Sequence, residues 1–257
     1  MRYFITADDF GANAPINDGI NEGLVDGSFT IASIMMNMPG TDEAIALAKN
    51  NNYMDKIGFH LNLTAGVPLT EDMKKTRLCC SNGSFHRGAK SYLLKRFPSK
   101  GFILTIRKEC EEQMRRYRDA GFKSKHIDSH MWIMYNASVY KAIEPLIEKY
   151  GFKTTRTPQG HVFSTESFVR TLYFKYIYSK YKKLLNIVGD WSGCPSEFEF
   201  AVQDGKFSDD CLVELYVHPS TYNGINEDRL FNYKHDRRPI SEICEFAAKS
   251  GTKIDML

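Results

Sequence analysis

Short apolar runs rich in β-branched and aromatic residues alternate along this chain with longer stretches of helical period. Residues 2–7 (RYFITA), 31–38 (IASIMMNM), 56–64 (KIGFHLNLT), 125–132 (KHIDSHMW), 153–158 (KTTRTP), 186–191 (NIVGDW) and 211–219 (CLVELYVHP) read as strands. Helical patterns fill the intervals. One opens at Pro15 and stops near Gly27, and another, DEAIALAKN, has Thr41 as its expected cap. Ile103, Ile106, Cys110, Met114 and Tyr117 mark a third, with Gly121 as its stop. Further helices are expected over Val139–Tyr150, over 167–185, from a capping box at Ser196 and Glu199, and over Ile240–Lys249. Consecutive parallel strands need a crossover, usually a helix, so this alternation predicts a parallel α/β fold. The expected architecture is an irregular, TIM-barrel-like (β/α)-barrel with seven or eight largely parallel strands, formed as one domain over residues 1–257. An open doubly wound sheet is the alternative. No G-x-G-x-x-G follows any of the strands, which weakens its dinucleotide-binding form.

Composition narrows the partners. A formal net charge of +3 lacks the one-signed excess of a nucleic-acid binder, so none is expected. No run reaches the ~18 apolar residues of a spanning helix, and no signal-peptide pattern opens the chain. No membrane partner is therefore expected. The six cysteines include no C-x-x-C pair and read as free thiols, which suits the cytoplasm. Base rates of assembly make a homodimer the expected oligomer.

Polar residues cluster at the strand ends. Asp8 and Asp9 close the first strand, and His60 lies in the third. His126, Asp128 and His130 alternate along the fourth, and Arg156 lies in the fifth. Asp190 and Trp191 end another strand, and His218 ends the late one. The C-terminal ends of parallel strands meet at one face, where sites are built. One carboxylate and two imidazoles, as Asp9, His60 and His130 would supply, suit a divalent ion such as magnesium or zinc. Neighbours on a strand point to opposite faces, so Asp8 and Asp9 can share a site only where the backbone turns, and Gly11 would allow that turn. Taken alone, Asp8-Asp9 reads equally well as a helix cap, and His60 as a core histidine.

The segments TADDFG, GFHLNLT, HIDSH, TRTP and ELYVHP, in this order, resemble the YdjC-like carbohydrate deacetylase family, which includes chito-oligosaccharide deacetylases. The resemblance runs from residue 6 to residue 219. It implies an irregular (β/α)-barrel, one divalent metal ion (magnesium or zinc) and hydrolysis of N-acetyl groups on amino sugars. It makes Asp9, His60 and His130 the expected metal ligands, Asp8 the catalytic base and His218 the general acid. Arg156 and Asp128 become supporting groups. The chain departs from the family pattern after HIDSH, where Trp132 stands among MWIMY in place of further histidines and becomes a substrate-fit residue. It departs again at Ser220, where the family often has glycine. Two other functions share these features. A metal-dependent phosphoesterase could use the same Asp/His set, and a non-catalytic sugar-binding protein could use Trp132 and Trp191 as platforms.

Overall fold

The computed structural model describes residues 1–86, 99–160, 168–229 and 237–255. Part of the irregular stretch expected over 65–100, namely 87–98, lies outside the described residues, as does the first residue of the helix expected at 167.

The central strand β1 (Arg2–Phe10) is buried along all but its first residue. A strand covered on both faces must be apolar on both, which is why RYFITA reads as a continuous run and not an alternation. Beside it run β2 (Ile31–Ile34), β3 (Ile57–Leu61) and β4 (Ile127–Ser129) on one side. On the other side lie β8 (Leu212–Val217) and β7 (Trp191–Gly193). The order β4-β3-β2-β1-β8-β7 is parallel throughout and curls into a half-barrel, and β12 (Thr252–Lys253) pairs with the start of β1. The short strands β5 (Thr154–Arg156) and β6 (Asn186–Val188) pair with each other. Single parallel bridges then join His126 to Thr154 and Gly160 to Ser192, linking β4 to β5 and the segment after β5 to β7. The expected irregular barrel is therefore found, with its regular ladder confined to one half.

Helices α1 (Ala14–Val25), α2 (Thr41–Asn50), α3 (Lys100–Asp119), α4 (Ala137–Lys149), α5 (Phe168–Tyr181), α6 (Pro195–Gln203) and the terminal α7 (Ile240–Ser250) fill the crossovers and the C-terminal end. Their caps differ in part from expectation. Asn13 caps α1 by accepting from the Ile16 amide. Gly40, not Thr41, is the α2 cap, because the Thr41 hydroxyl turns back onto the Met35 and Met38 carbonyls. The capping box of α6 lies two residues earlier than expected, with Glu197 accepting from the Cys194 amide.

Two strand assignments change. NIVGDW splits at Gly189 into the whole of β6 and the first residue of β7, whose neighbours differ. β4 stops at Ser129, and His130–Tyr135 form a 3₁₀ turn in which Met131 and Trp132 are left-handed. The chain also forms an unexpected antiparallel sheet of β9 (Pro219–Tyr222), β10 (Ile225–Arg229) and β11 (Arg237–Pro239). Its hairpin turns at Asn223-Gly224, both at positive φ, the pairing that matches strand twist in a two-residue loop. Its strands are polar, so periodicity did not mark them.

The turn after β1 is held by one buried side chain. Asn17 accepts from the Gly11 amide at 2.8 Å and donates to the Gly40 carbonyl at 2.9 Å, tying the loops after β1 and β2 together. Gly11 has φ of +90°, and a Cβ there would lie 2.9 Å from the Met35 carbonyl oxygen. Gly11→Ala is expected to lower the unfolding free energy by about 1–3 kcal/mol in a urea titration. An unchanged midpoint would show that this turn relaxes freely.

Candidate active site

β1, β3, β4, β5 and β8 deliver polar side chains to the C-terminal edge of the half-barrel. β1 continues through Asp8 and Asp9 instead of ending before them. Asp9 itself has φ of +70°, and the pairing of β1 with β2 slips between Ala7 and Phe10. This bulge, and not a turn at Gly11, brings the neighbouring carboxylates to one site. It re-aims a side chain by inserting one extra residue into the ladder.

The two aspartates have different surroundings. Arg156 donates from Nη1 and Nη2 to Asp8 Oδ2 and Oδ1, at 2.7 Å each. The pair is buried, with Arg156 only 4% exposed. Asp9 Oδ1, by contrast, has no hydrogen-bond partner among the described residues. It faces two imidazole nitrogens, His60 Nε2 at 3.4 Å and His130 Nε2 at 3.9 Å. Burial pushes the Asp9 carboxyl up, but His130, His60 and His218 together outweigh it and hold it well below the carboxylate range.

Each imidazole is anchored through its other nitrogen. His60 Nδ1 lies 2.6 Å from Asp128 Oδ1, across the β3–β4 register that pairs the two residues. His130 Nδ1 lies 2.7 Å from the Thr64 hydroxyl. Thr64 is in turn held by Asn62, whose Oδ1 accepts from the Thr64 amide at 3.0 Å. With Nδ1 engaged by these partners, the Nε2 atom of each imidazole is left facing Asp9. Burial disfavours a charged His60, yet Asp128, Asp9 and Asp8 together raise its pKa to about 10. Burial lowers the His130 pKa, against the pull of Asp9.

Asp128 receives more than His60. Ser33 Oγ donates to Oδ2 at 2.9 Å, and Arg156 Nη2 lies 3.0 Å away. Burial raises this carboxyl, but His60 and Arg156 together bring it below its ordinary value. His218 follows β8 with Nε2 4.0 Å from Asp8 Oδ2. The side chains of His130 and His218 are each 15% exposed, so the two partly open imidazoles flank the buried aspartates. Trp132 stands 5.8 Å from the Arg156 guanidinium and 6.1 Å, edge to face, from Tyr216.

The expected site residues Asp8, Asp9, His60, Asp128, His130, Arg156 and His218 thus meet. His126 lies at their margin, with Nε2 3.9 Å from Asp128 Oδ2 and Nδ1 3.3 Å from the Thr154 hydroxyl at the β4–β5 bridge. Two others named on the strands do not join them. Asp190 precedes β7, at the opposite end of that strand from the site, and accepts from the Leu212 amide. Trp191 is buried against Phe198 and Phe207, which removes it as a sugar platform. Sequence reasoning missed Ser33 and Glu214, and it placed Thr64 after His60 without giving it a role. Thr64 and Glu214 lie inside the GFHLNLT and ELYVHP segments, but neither residue type signals a partner by itself. Glu214 is fully buried and accepts from Thr6 Oγ1 and from Arg156 Nε, both at 2.8 Å.

Asp8, His60 and Asp128 each offer a ligand atom within 4.8 Å of the others, a candidate metal-binding cluster. Its oxygens are already occupied: Asp8 by the Arg156 fork, and Asp128 by His60, Ser33 and Arg156. The unpaired Asp9 Oδ1 with the two Nε2 atoms is a second donor set in the same cluster. Both sets are oxygen–nitrogen mixtures of the kind divalent cations accept, and they differ in that the Asp9 oxygen is not already engaged.

The fold and this cluster define an α/β half-barrel protein with a buried Asp/His candidate metal site at the C-terminal edge of its strands. The chain belongs to the YdjC-like protein family, which matches residues 2–238. It is 30% identical over 223 residues to a protein of Thermoanaerobacter pseudethanolicus named carbohydrate deacetylase, covering 84% of this chain and 85% of that one. A Brevibacillus brevis protein of the same name is 34% identical over 150 residues, covering 58% of this chain and 57% of its own. The matched stretch thus spans little more than half of that relative. A crystal structure of a proposed cellobiose-phosphate cleavage protein from Enterococcus faecalis superposes with a TM-score of 0.70. It covers 99% of this chain and 97% of the other at 18% identity, a likeness of fold alone.

Burial, with help from Asp128 and Asp8, raises the Glu214 pKa to about 7, against the lowering by Arg156 and Thr6. A raised carboxyl binds its proton more tightly when folded than when unfolded. Its contribution to stability therefore falls as pH rises from the ordinary carboxylate range through about 7. Glu214→Gln removes that loss, so the variant is expected to gain melting temperature relative to the parent between pH 5 and pH 8. Parallel pH curves for the two proteins would contradict the assignment.

Proposed function

We propose that this chain is a metal-dependent carbohydrate deacetylase, a hydrolase that removes N-acetyl groups from amino sugars or short oligosaccharides. One observation carries the reading. The unpaired Asp9 Oδ1 and two anchored imidazoles face one another beside a separate carboxylate held by Arg156. The relatives named carbohydrate deacetylase support it.

Asp9, His60 and His130 would hold one divalent ion, magnesium or zinc. Such an ion, when bound, lowers the pKa of a water and polarises the acetyl carbonyl. Asp8 is the base. Arg156 takes one lone pair on each of its oxygens, and a carboxylate retains two more to accept a proton from the attacking water. His218, with Nε2 4.0 Å from Asp8 Oδ2, donates a proton to the departing amine, the leaving group an amide cannot expel unaided. Asp128 and Thr64 hold the imidazoles in the tautomer that frees Nε2. Trp132, half-buried beside Arg156, is the residue that would shape the fit of the sugar.

The competing functions fare less well. A phosphoesterase needs a cation free for phosphate, but Arg156 is engaged by three buried carboxylates. A sugar-binding protein without chemistry would not gather buried aspartates and histidines around an unpaired oxygen, at the cost of desolvating them. All six cysteines are free, which supports a cytoplasmic setting.

Acetate release from N-acetylated mono- and oligosaccharides tests the reading, alongside metal content by mass spectrometry. Asp8→Asn is expected to keep its metal and lose ~10²–10⁴-fold in turnover. Asp9→Asn and His60→Ala are expected to lose the metal itself. Full activity in Asp8→Asn would remove it as the base. Thr64→Val, which takes away the partner of His130 Nδ1, is expected to weaken metal affinity ~10–100-fold in a chelator competition. Unaltered affinity would mean that His130 is not a ligand.

A further inference from the structure

Glu214 has no part in the chemistry above, yet it is one of the most deeply buried carboxylates of the protein. It sits within β8, where i, i+2 and i+4 share a face, so Glu214, Tyr216 and His218 form one column facing the site. Each member of the column touches the machinery. Glu214 Oε1 accepts from Arg156 Nε at 2.8 Å. The Tyr216 ring lies 4.8 Å from the same guanidinium. His218 packs edge to face on Tyr216 at 6.0 Å.

The guanidinium is a rigid plane with its donors in fixed directions. Once Nε–H is tied to Glu214, and the ring of Tyr216 limits tilt out of the plane, the direction of the Nη1/Nη2 edge is set. That edge is the one that forks onto Asp8. Thr6 Oγ1 donates to the same Glu214 oxygen at 2.8 Å and fixes the anchor in turn. A buried carboxylate on a frame already rich in acids is costly, and an apolar side chain of the same volume would serve packing as well. What only an acceptor at this place supplies is the orientation of Arg156.

We propose that Glu214 is a positioning residue, which holds Arg156 by Nε–H and so aims the fork that fixes the Asp8 carboxylate. The proposal rests on the reading of Asp8 as the base of a deacetylase.

Two substitutions of similar volume separate acceptor from packing. Glu214→Gln keeps an amide oxygen for Arg156, and Glu214→Met keeps the bulk without it. In the full chain reconstituted with metal, acetate release is measured on N-acetylated chito-oligosaccharides of two to four sugars. Glu214→Met is expected to lower kcat ~10–100-fold, the scale of a misplaced catalytic group, with KM and metal per chain nearly unaltered. Glu214→Gln is expected to stay within about threefold of the parent, well short of that loss. In parallel, ¹⁵N arginine side-chain spectra follow the Arg156 Nε–H, assigned with Arg156→Lys. It should be protected from exchange in the parent and in Glu214→Gln, and lose protection in Glu214→Met. Equal kcat in Glu214→Met and parent, equal losses in the two variants, or an Nε–H unaffected by Met would each overturn the proposal. Loss of metal and of melting temperature together with kcat in Glu214→Met would also overturn it, by making Glu214 a structural element. Should Glu214→Met not fold, Thr6→Val takes its place, with a fall in kcat and retained metal expected, and unaltered kcat overturning the proposal. If the parent itself releases no acetate, the deacetylase reading fails, while the Nε–H comparison still decides whether Glu214 holds Arg156.

Discussion

One buried cation holds the centre of this protein together. Arg156 contacts Asp8, Asp128 and Glu214, contributed by three different strands. Burying three carboxylates near one another would be prohibitive without a fixed positive charge among them, since repulsion and desolvation act together. A guanidinium suits the place because it stays charged in a dry interior and offers donors in several directions at once. Everything that distinguishes one acid from another follows from how this charge is shared. Asp8 receives two donors, Glu214 one, and Asp9 none.

The histidines repeat the logic from the other side. Each has its Nδ1 engaged by a partner on another segment, Asp128 for His60 and Thr64 for His130. The free nitrogens are consequently directed, and the unpaired Asp9 Oδ1 faces both of them. Behind Thr64, the turn after β3 is braced from helix α3. Gln113 donates to the Asn62 carbonyl at 2.8 Å and to Glu109 Oε1 at 2.8 Å. Glu109 also accepts from the Leu69 and Thr70 amides, so a buried helix carboxylate orders a loop beside the site. The order of the site thus rests on polar side chains outside it.

Much of the scaffold was legible because its cause is local. Continuous apolar runs, helical spacing and Gly or Pro at the boundaries act over a few residues, and the parallel half-barrel follows from their alternation. The errors fall where a local signal competes with a distant one. Thr41 has the side chain of a cap but spends its hydroxyl on carbonyls of the preceding turn. NIVGDW is one apolar run, yet Gly189 lets its halves join different neighbours. Asp190 has the chemistry of a site residue but spends its carboxylate on the Leu212 amide at the start of the neighbouring strand.

For the site, the sequence alone determined the residue types and their delivery to one edge, because strand direction and the position of Asp8, His60, Asp128, Arg156 and His218 near strand ends are written locally. It did not determine which acid is held and which is open. That division depends on the left-handed bulge at Asp9, on a donor from residue 156 and on an acceptor at residue 214. These contacts join residues separated by 148 and 58 positions, and no periodicity encodes them. Only when the parallel strands are in register do their partners come within hydrogen-bond reach, and that is the step the tertiary structure alone decides.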